Sequence, residues 1–187
     1  MLLAAQAAQG AVISCNTDPN INYMQMSTSE ASACLDSGVG NLTGANDNDL
    51  FINNDGTGDG YLSAGKTPDE DDPNPFNITY TKDGSTGTWS FDSSFWDSYA
   101  SAALGFKFGT GNQADEWFVF SLVDGVSSGS WAFFQGEDSD KEKRGGLSHV
   151  NLYYKDTVSV TEPGTLGLMG LGLLGLLTLR RKIAPQS

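Results

Sequence analysis

The sequence predicts an all-β domain, a jelly-roll-like β-sandwich of about eight strands, followed by a C-terminal transmembrane helix. Three observations carry this expectation. Short apolar runs, some alternating with period 2, recur between clusters of Gly, Asn, Asp and Ser along most of the 187 residues. Aromatic residues supply much of the apolar content, and long runs of helix-forming Glu, Leu, Lys and Ala are missing before the tail. A Leu/Gly-rich run without a charged residue stands at the far end, residues 165–179, and closes on Arg180-Arg181-Lys182.

Taken in order, residues 1–10 read as the remnant of a signal peptide. Ala5-Gln6-Ala7, or else Ala8-Gln9-Gly10, has the small-x-small pattern that a signal peptidase accepts. No basic n-region or longer apolar stretch precedes it, which points to a start codon placed too late or to a trimmed N-terminus, leaving only the end of the signal. Residues 11–157 form the extracytoplasmic domain. Its first part, to about residue 45, is Ser/Asn-rich and holds Cys15 and Cys34. Strand-like runs follow at Leu50-Phe51-Ile52 and Tyr61-Leu62-Ser63, separated by the turn-rich stretch 53–60. Residues 67–75 are an acidic, Pro-containing loop. Phe76-Asn77-Ile78-Thr79-Tyr80 alternates as a half-buried strand should, and Lys82-Asp83-Gly84-Ser85 turns the chain into a strand over 86–91. Runs at 102–108, 116–123, 129–135 and 147–154 complete the set, with Asp124-Gly125 marking a turn.

Beyond the domain, residues 158–164 are a short linker, 165–179 the membrane helix and 180–187 a basic cytoplasmic tail. As a helix the span measures roughly 22 Å, against a hydrocarbon core of about 30 Å. Arg180 and Arg181 extend it by snorkelling to the headgroups, and Pro163 sets its start. A buried core helix is the competing assignment. Leu and Gly on every face, and glycines that weaken a helix lacking a membrane to enforce it, argue against that alternative. Basic residues after the span place the C-terminus in the cytoplasm and the domain outside it.

Glu162-Pro163-Gly164, the Gly/Leu span and the Arg180-Arg181-Lys182 cluster together resemble the PEP-CTERM sorting signal of Gram-negative bacteria that make exopolysaccharide. The family motif usually reads Val-Pro-Glu-Pro; here Val160-Thr161-Glu162-Pro163 has Thr161 in place of the first proline. The resemblance implies that an exosortase, a membrane cysteine transpeptidase, cuts near Glu162-Pro163 and releases or transfers the domain. It implies a precursor held in the inner membrane and a mature, non-enzymatic protein at the cell surface or in the extracellular matrix, associated with exopolysaccharide and biofilm. The runs 87–91, 129–133 and 147–153 are similar to strands that recur in exported domains bearing this signal. That second similarity speaks to location and not to chemistry.

Charge and cysteines bound the partners. Net charge is −13, from 23 acidic against 10 basic side chains. Setting aside the three basic residues at 180–182 leaves −16, so the acidity belongs to the domain, and it repels nucleic acid. In an exported protein Cys15 and Cys34 are expected to form one disulfide. Val12-Ile13-Ser14-Cys15 also looks like a lipobox, which would make Cys15 a lipidated N-terminus and leave Cys34 alone.

No catalytic constellation emerges. His149 is the only histidine, which excludes a zinc site built from several imidazoles. Ser148 adjoins it, but neighbours on a regular strand face opposite ways. Glu116, beside Trp117, is the least implausible general acid for a glycosidase. Asp47, Asp49, Asp55 and Asp59 lie in a Gly/Asn-rich stretch, and Asp55 with Asp59 are the candidate calcium ligands. The EF-hand template fails there because Lys66 falls at its twelfth position. The alternative is a solvated turn and no cofactor. Trp89, Trp117 and Trp131 sit within strand-like runs and are expected in the core. Trp96, in the looser 92–99 segment, is the candidate glycan-stacking residue of a carbohydrate-binding module.

Overall fold

The computed structural model of the chain describes residues 10–16, 22–53, 58–67, 73–109, 115–136 and 146–155. Within them, ten strands pair antiparallel into two five-stranded sheets. They are β1 (Val12–Cys15), β2 (Tyr23–Ser27), β3 (Ala31–Val39), β4 (Tyr61–Thr67), β5 (Thr79–Tyr80), β6 (Thr86–Ser90), β7 (Ala102–Gly109), β8 (Glu116–Leu122), β9 (Ser128–Phe134) and β10 (Gly146–Lys155). A single 3-10 turn, Ser93–Asp97, interrupts the β structure among these residues, its N-terminus capped by the Asp92 carboxylate on the Ser94 N–H. The first sheet runs β1-β2-β9-β6-β5 and the second β3-β8-β7-β10-β4.

The two sheets face each other across one aromatic core. Met24, Met26, Trp89, Trp131 and Phe133 from the first sheet meet Leu104, Phe106, Phe108, Phe118, Phe120, Val150 and Leu152 from the second. Phe108 stacks on Phe133 at 4.4 Å between ring centroids, and Phe106 and Phe108 each approach Trp131. Apolar residues alternate along β2 and β9 because only one of their faces meets this core. In β7 the alternation vanishes, and residues 102–108 are all buried. The reason is a second apolar layer on the far side of that sheet. Leu42 and Phe51, from the connection between β3 and β4, cover Ala103, Trp117, Val119 and Tyr153. Gly105 is needed under this cover: a Cβ there would lie 2.8 Å from Leu42 and 2.9 Å from Tyr153.

Several expectations change. The Ser/Asn-rich N-terminal part contributes three strands, β1 to β3, so the described residues hold ten strands and not about eight. Leu50-Phe51-Ile52 is a turn, because the Asp49 carboxylate accepts the N–H groups of Phe51 (3.0 Å) and Ile52 (3.3 Å) and curls the chain around itself. The expected strand at 76–80 shrinks to Thr79–Tyr80. Asn77 takes a left-handed conformation (φ 50°), and the Asn74 side chain pairs with both backbone groups of Ile78. The 158–164 linker, the 165–179 helix and the 180–187 tail lie outside the described residues, within a separate unit, Val158–Ser187. Among the described residues no helix is long and apolar enough to cross a membrane.

Candidate functional site

Cys15 ends β1 in the first sheet and Cys34 lies in β3 of the second. A disulfide joins them across the edge of the sandwich, with Cα atoms 5.1 Å apart. Cys15 is fully buried. The thiol that a lipobox reading requires is therefore occupied, and buried beneath the sheet.

The acidic stretch divides in two. Asp49 is wholly buried and its carboxylate is filled by donors: Gly44 N–H at 2.7 Å, Tyr153 O–H at 3.0 Å, and the Phe51 and Ile52 N–H groups. It fastens the β3–β4 connection to β10. Asp59 is exposed, and its carbonyl oxygen, not its carboxylate, accepts from Lys155 Nζ at 2.6 Å. Asp55 lies outside the described residues. Among those residues no group of three or more His, Cys, Asp or Glu side chains gathers in metal-binding geometry.

His149 completes the same fastening. A bulge in β10 between Leu147 and His149 leaves Ser148 without a cross-strand partner. Ser148 and His149 therefore do not face opposite ways as on a regular strand, and Ser148 Oγ lies 3.4 Å from His149 Nδ1. The other ring nitrogen meets the Leu42 carbonyl at 2.6 Å. A carbonyl only accepts, so Nε2 carries the proton and Nδ1 is the acceptor. Asn151 Nδ2 donates to the same carbonyl and to Tyr153 Oη. Burial holds the His149 pKa below its ordinary value, and Lys66 and Lys107 push the same way against the Leu42 hydrogen bond and Asp49. Tyr153 is held well above the usual phenol range by burial first and by the Asp49 carboxylate second. The Ser148–His149 contact stands on a strand beneath the Leu42 strap, and its imidazole is committed to holding that strap. Glu116 is likewise committed, accepting from Asn22 Nδ2 at 2.6 Å.

Trp89, Trp117 and Trp131 are buried in the core. Trp96 is not the free-standing plate that its loop position suggests. It is half-buried, packs edge-to-face on Phe95 at 5.2 Å, and lies against Phe91. Its indole N–H is shielded from solvent and makes no hydrogen bond among the described residues.

The outward face of the first sheet is a feature that no local stretch of sequence displays. Alternation puts Val12 and Ser14 of β1, Tyr23, Gln25 and Ser27 of β2, and Ser130, Ala132 and Phe134 of β9 on that side. Thr86, Thr88 and Ser90 of β6 and Thr79 of β5 extend it. None of these side chains is charged. Hydroxyls pair across the strands, Thr79 with Ser90 and Thr81 with Thr88, each at 2.8 Å, and Gln25 Nε2 donates to Ser14 Oγ at 2.8 Å. Phe134 and Tyr23 stack at 4.8 Å, 11° from parallel. A shallow groove of about 880 Å³ runs over this face. Smaller hollows open at Phe108, Phe133 and Leu147 (about 490 Å³) and beside β4 at Asn46, Ser63 and Tyr99 (about 580 Å³).

With the domain described, comparison with known proteins addresses the tail. The chain is an exported protein with a C-terminal sorting signal. Residues 159–182 match the family model of the PEP-CTERM protein-sorting motif. This range contains Glu162, Pro163, Gly164, the apolar run and Arg180, Arg181 and Lys182, all of them outside the described residues. The motif marks a target of an exosortase, held transiently in the membrane before that enzyme cuts it. No curated protein and no solved structure matches the chain.

Proposed function

We propose that this chain is a non-enzymatic exported protein, cut near Glu162-Pro163 by an exosortase and then retained at the cell surface or in an exopolysaccharide-associated extracellular matrix. The observation that carries this reading is the sorting motif at 159–182, directly behind a disulfide-closed β-sandwich. A disulfide suits an oxidising compartment outside the cytoplasm. The domain's acidity disfavours nucleic acid and anionic lipid as partners. His149, Asp49 and Glu116 are engaged in structure: His149 and Asp49 hold the β3–β4 strap, and Glu116 is tied to Asn22. In this reading residues 165–179 are the membrane helix of the precursor, residues 180–187 stay in the cytoplasm, and biofilm is the setting in which the mature domain works.

The test is the intact mass of the protein recovered from its native cell surface and medium. A C-terminus near Glu162, with Cys15 and Cys34 two hydrogens short of reduced, is the expected result. An intact C-terminus at Ser187 would overturn exosortase processing, and acyl chains on Cys15 would overturn the disulfide-closed mature form.

A further inference from the structure

We infer that the outward face of the first sheet is a docking surface for a neutral, hydroxyl-rich polysaccharide. This rests on the extracellular reading above and names the partner class of the mature domain. The argument starts from charge. In a chain with 33 charged side chains and a net charge of −13, a whole sheet face free of charge is a departure that needs a reason. Solubility alone would favour carboxylates and lysines there, as on most exposed sheet faces. Carboxylates stand instead at its margin: Glu30 accepts from the Ser130 N–H at 3.1 Å and from the Ser130 hydroxyl at 3.3 Å, and Asp83 lines the groove at the β5–β6 turn. An uncharged floor inside an acidic rim repels polyanions and offers a polycation no countercharge where contact is closest. It leaves hydrogen bonding and stacking as the means of recognition.

Both are built for sugars. A hydroxyl carries one donor and two acceptor sites. The Thr81 hydroxyl bonds the Thr88 hydroxyl and accepts the Thr88 N–H, and Gln25 Nε2 donates to Ser14 Oγ, yet the Thr88 and Ser14 hydroxyls and the Gln25 carbonyl keep sites for an outside partner. Those shared bonds also fix the rotamers beforehand, so less side-chain freedom is lost on binding. Phe134, 38% exposed and backed by the parallel ring of Tyr23, is a braced apolar plate at one end of the groove. The C–H face of a pyranose packs on such a plate, while its equatorial hydroxyls reach rows of Ser, Thr and Gln set at the strand spacing of about 4.8 Å. Among the described residues, the outward side of the opposite sheet is covered over Ala103, Trp117, Val119 and Tyr153 by Leu42 and Phe51.

The experiment is affinity electrophoresis of the full chain in mild detergent through gels containing mixed-linkage β-glucan, galactomannan, dextran or, as the polyanion, alginate. Retardation by at least one neutral polymer and not by alginate is expected. Phe134→Ala should weaken it by about tenfold or more, the scale of losing one aromatic anchor. Thr88→Lys, which puts a charge on the floor, should abolish it with the melting temperature unchanged. No retardation by any neutral polymer would overturn the inference, as would equal retardation by alginate or equal binding by both variants. So would a dimer in sedimentation that Thr88→Lys dissolves, which would make the face a contact between two copies. A mature C-terminus near Glu162 without retardation removes the polysaccharide and leaves the processing. Retardation of a protein still ending at Ser187 does the reverse.

Discussion

Replacing Asp49 by alanine tests whether the covered side of the second sheet is held as described. The carboxylate accepts four hydrogen bonds, from Gly44, Phe51, Ile52 and Tyr153, and has no contact with solvent. Asp49→Ala strands the Tyr153 hydroxyl and the three N–H groups together. A buried donor left without an acceptor costs about 1–3 kcal/mol. The Gly44 and Ile52 groups are only partly buried and recover water when the strap relaxes, so the sum falls to about 3–5 kcal/mol. Tyr153→Phe removes one donor and leaves Asp49 three others, and should cost about 1–2 kcal/mol. Because the two residues share one bond, the double variant should fall short of the sum by about 1 kcal/mol. Urea unfolding followed by far-UV circular dichroism measures all three, with an unchanged slope establishing that the comparison is of stabilities. A loss below about 1 kcal/mol for Asp49→Ala, or one no larger than that of Tyr153→Phe, would refute the idea that this carboxylate organises the strap.

The remaining predictions follow from the same contacts. The folded His149 pKa lies below its ordinary 6.5 because burial, and then Lys66 and Lys107, disfavour the imidazolium. Its contribution to stability is therefore complete above pH 6.5 and is lost as pH falls toward the depressed folded value, while the unfolded chain takes up the proton first. Melting curves between pH 7.5 and 5 should show a steeper decline for the native chain than for His149→Gln; parallel curves would contradict the assignment. Replacing Cys15 and Cys34 by serine releases a link between positions 19 residues apart, which should cost about 3 kcal/mol, read as a lower urea midpoint that reducing agent lowers no further. Calcium at about 1 mM, a level that extracellular sites bind, should leave the melting temperature unchanged, since the buried Asp49 carboxylate is filled by donors; a rise abolished by Asp59→Asn would restore calcium to the 47–59 stretch.

Where neighbours in sequence decide the structure, the sequence was readable. β7 to β10 follow from dense aromatic and β-branched runs such as Glu116-Trp117-Phe118-Val119-Phe120, and Asp83 and Gly84 turn the β5–β6 hairpin as expected. The sorting signal was legible for the same reason, since its three parts are contiguous. Failures arise where distant residues decide. β3, Ala31–Val39, has neither alternation nor bulk, and forms because β8 offers it an edge and Cys34 is bonded to Cys15. Phe51 looks like a strand residue but is a plug, packed on Tyr61 and Tyr153 at 5.2 and 5.1 Å beneath a turn made by Asp49. Trp96 looks exposed because Asp92, Ser93, Ser94, Asp97 and Ser98 surround it in the sequence, yet Phe91 and its own neighbour Phe95 pack against it. The uncharged face is assembled from five strands, with one to three residues from each, so only the register reveals it.

The place of β10 bears on how the domain carries mechanical load. β10 is the last described strand and ends at Lys155, so a pull on the residues that follow it is passed to this strand. β10 lies inside its sheet, hydrogen-bonded to β7 on one side and β4 on the other. A pull along the strand axis strains both ladders in shear, so many bonds must break together, whereas an edge strand would unzip one bond at a time. At the other end β1 is an edge strand and would peel, but its disulfide to β3 stops the peeling at Cys15. A domain tethered through this terminus in flowing water would resist drag without relying on its thermodynamic stability.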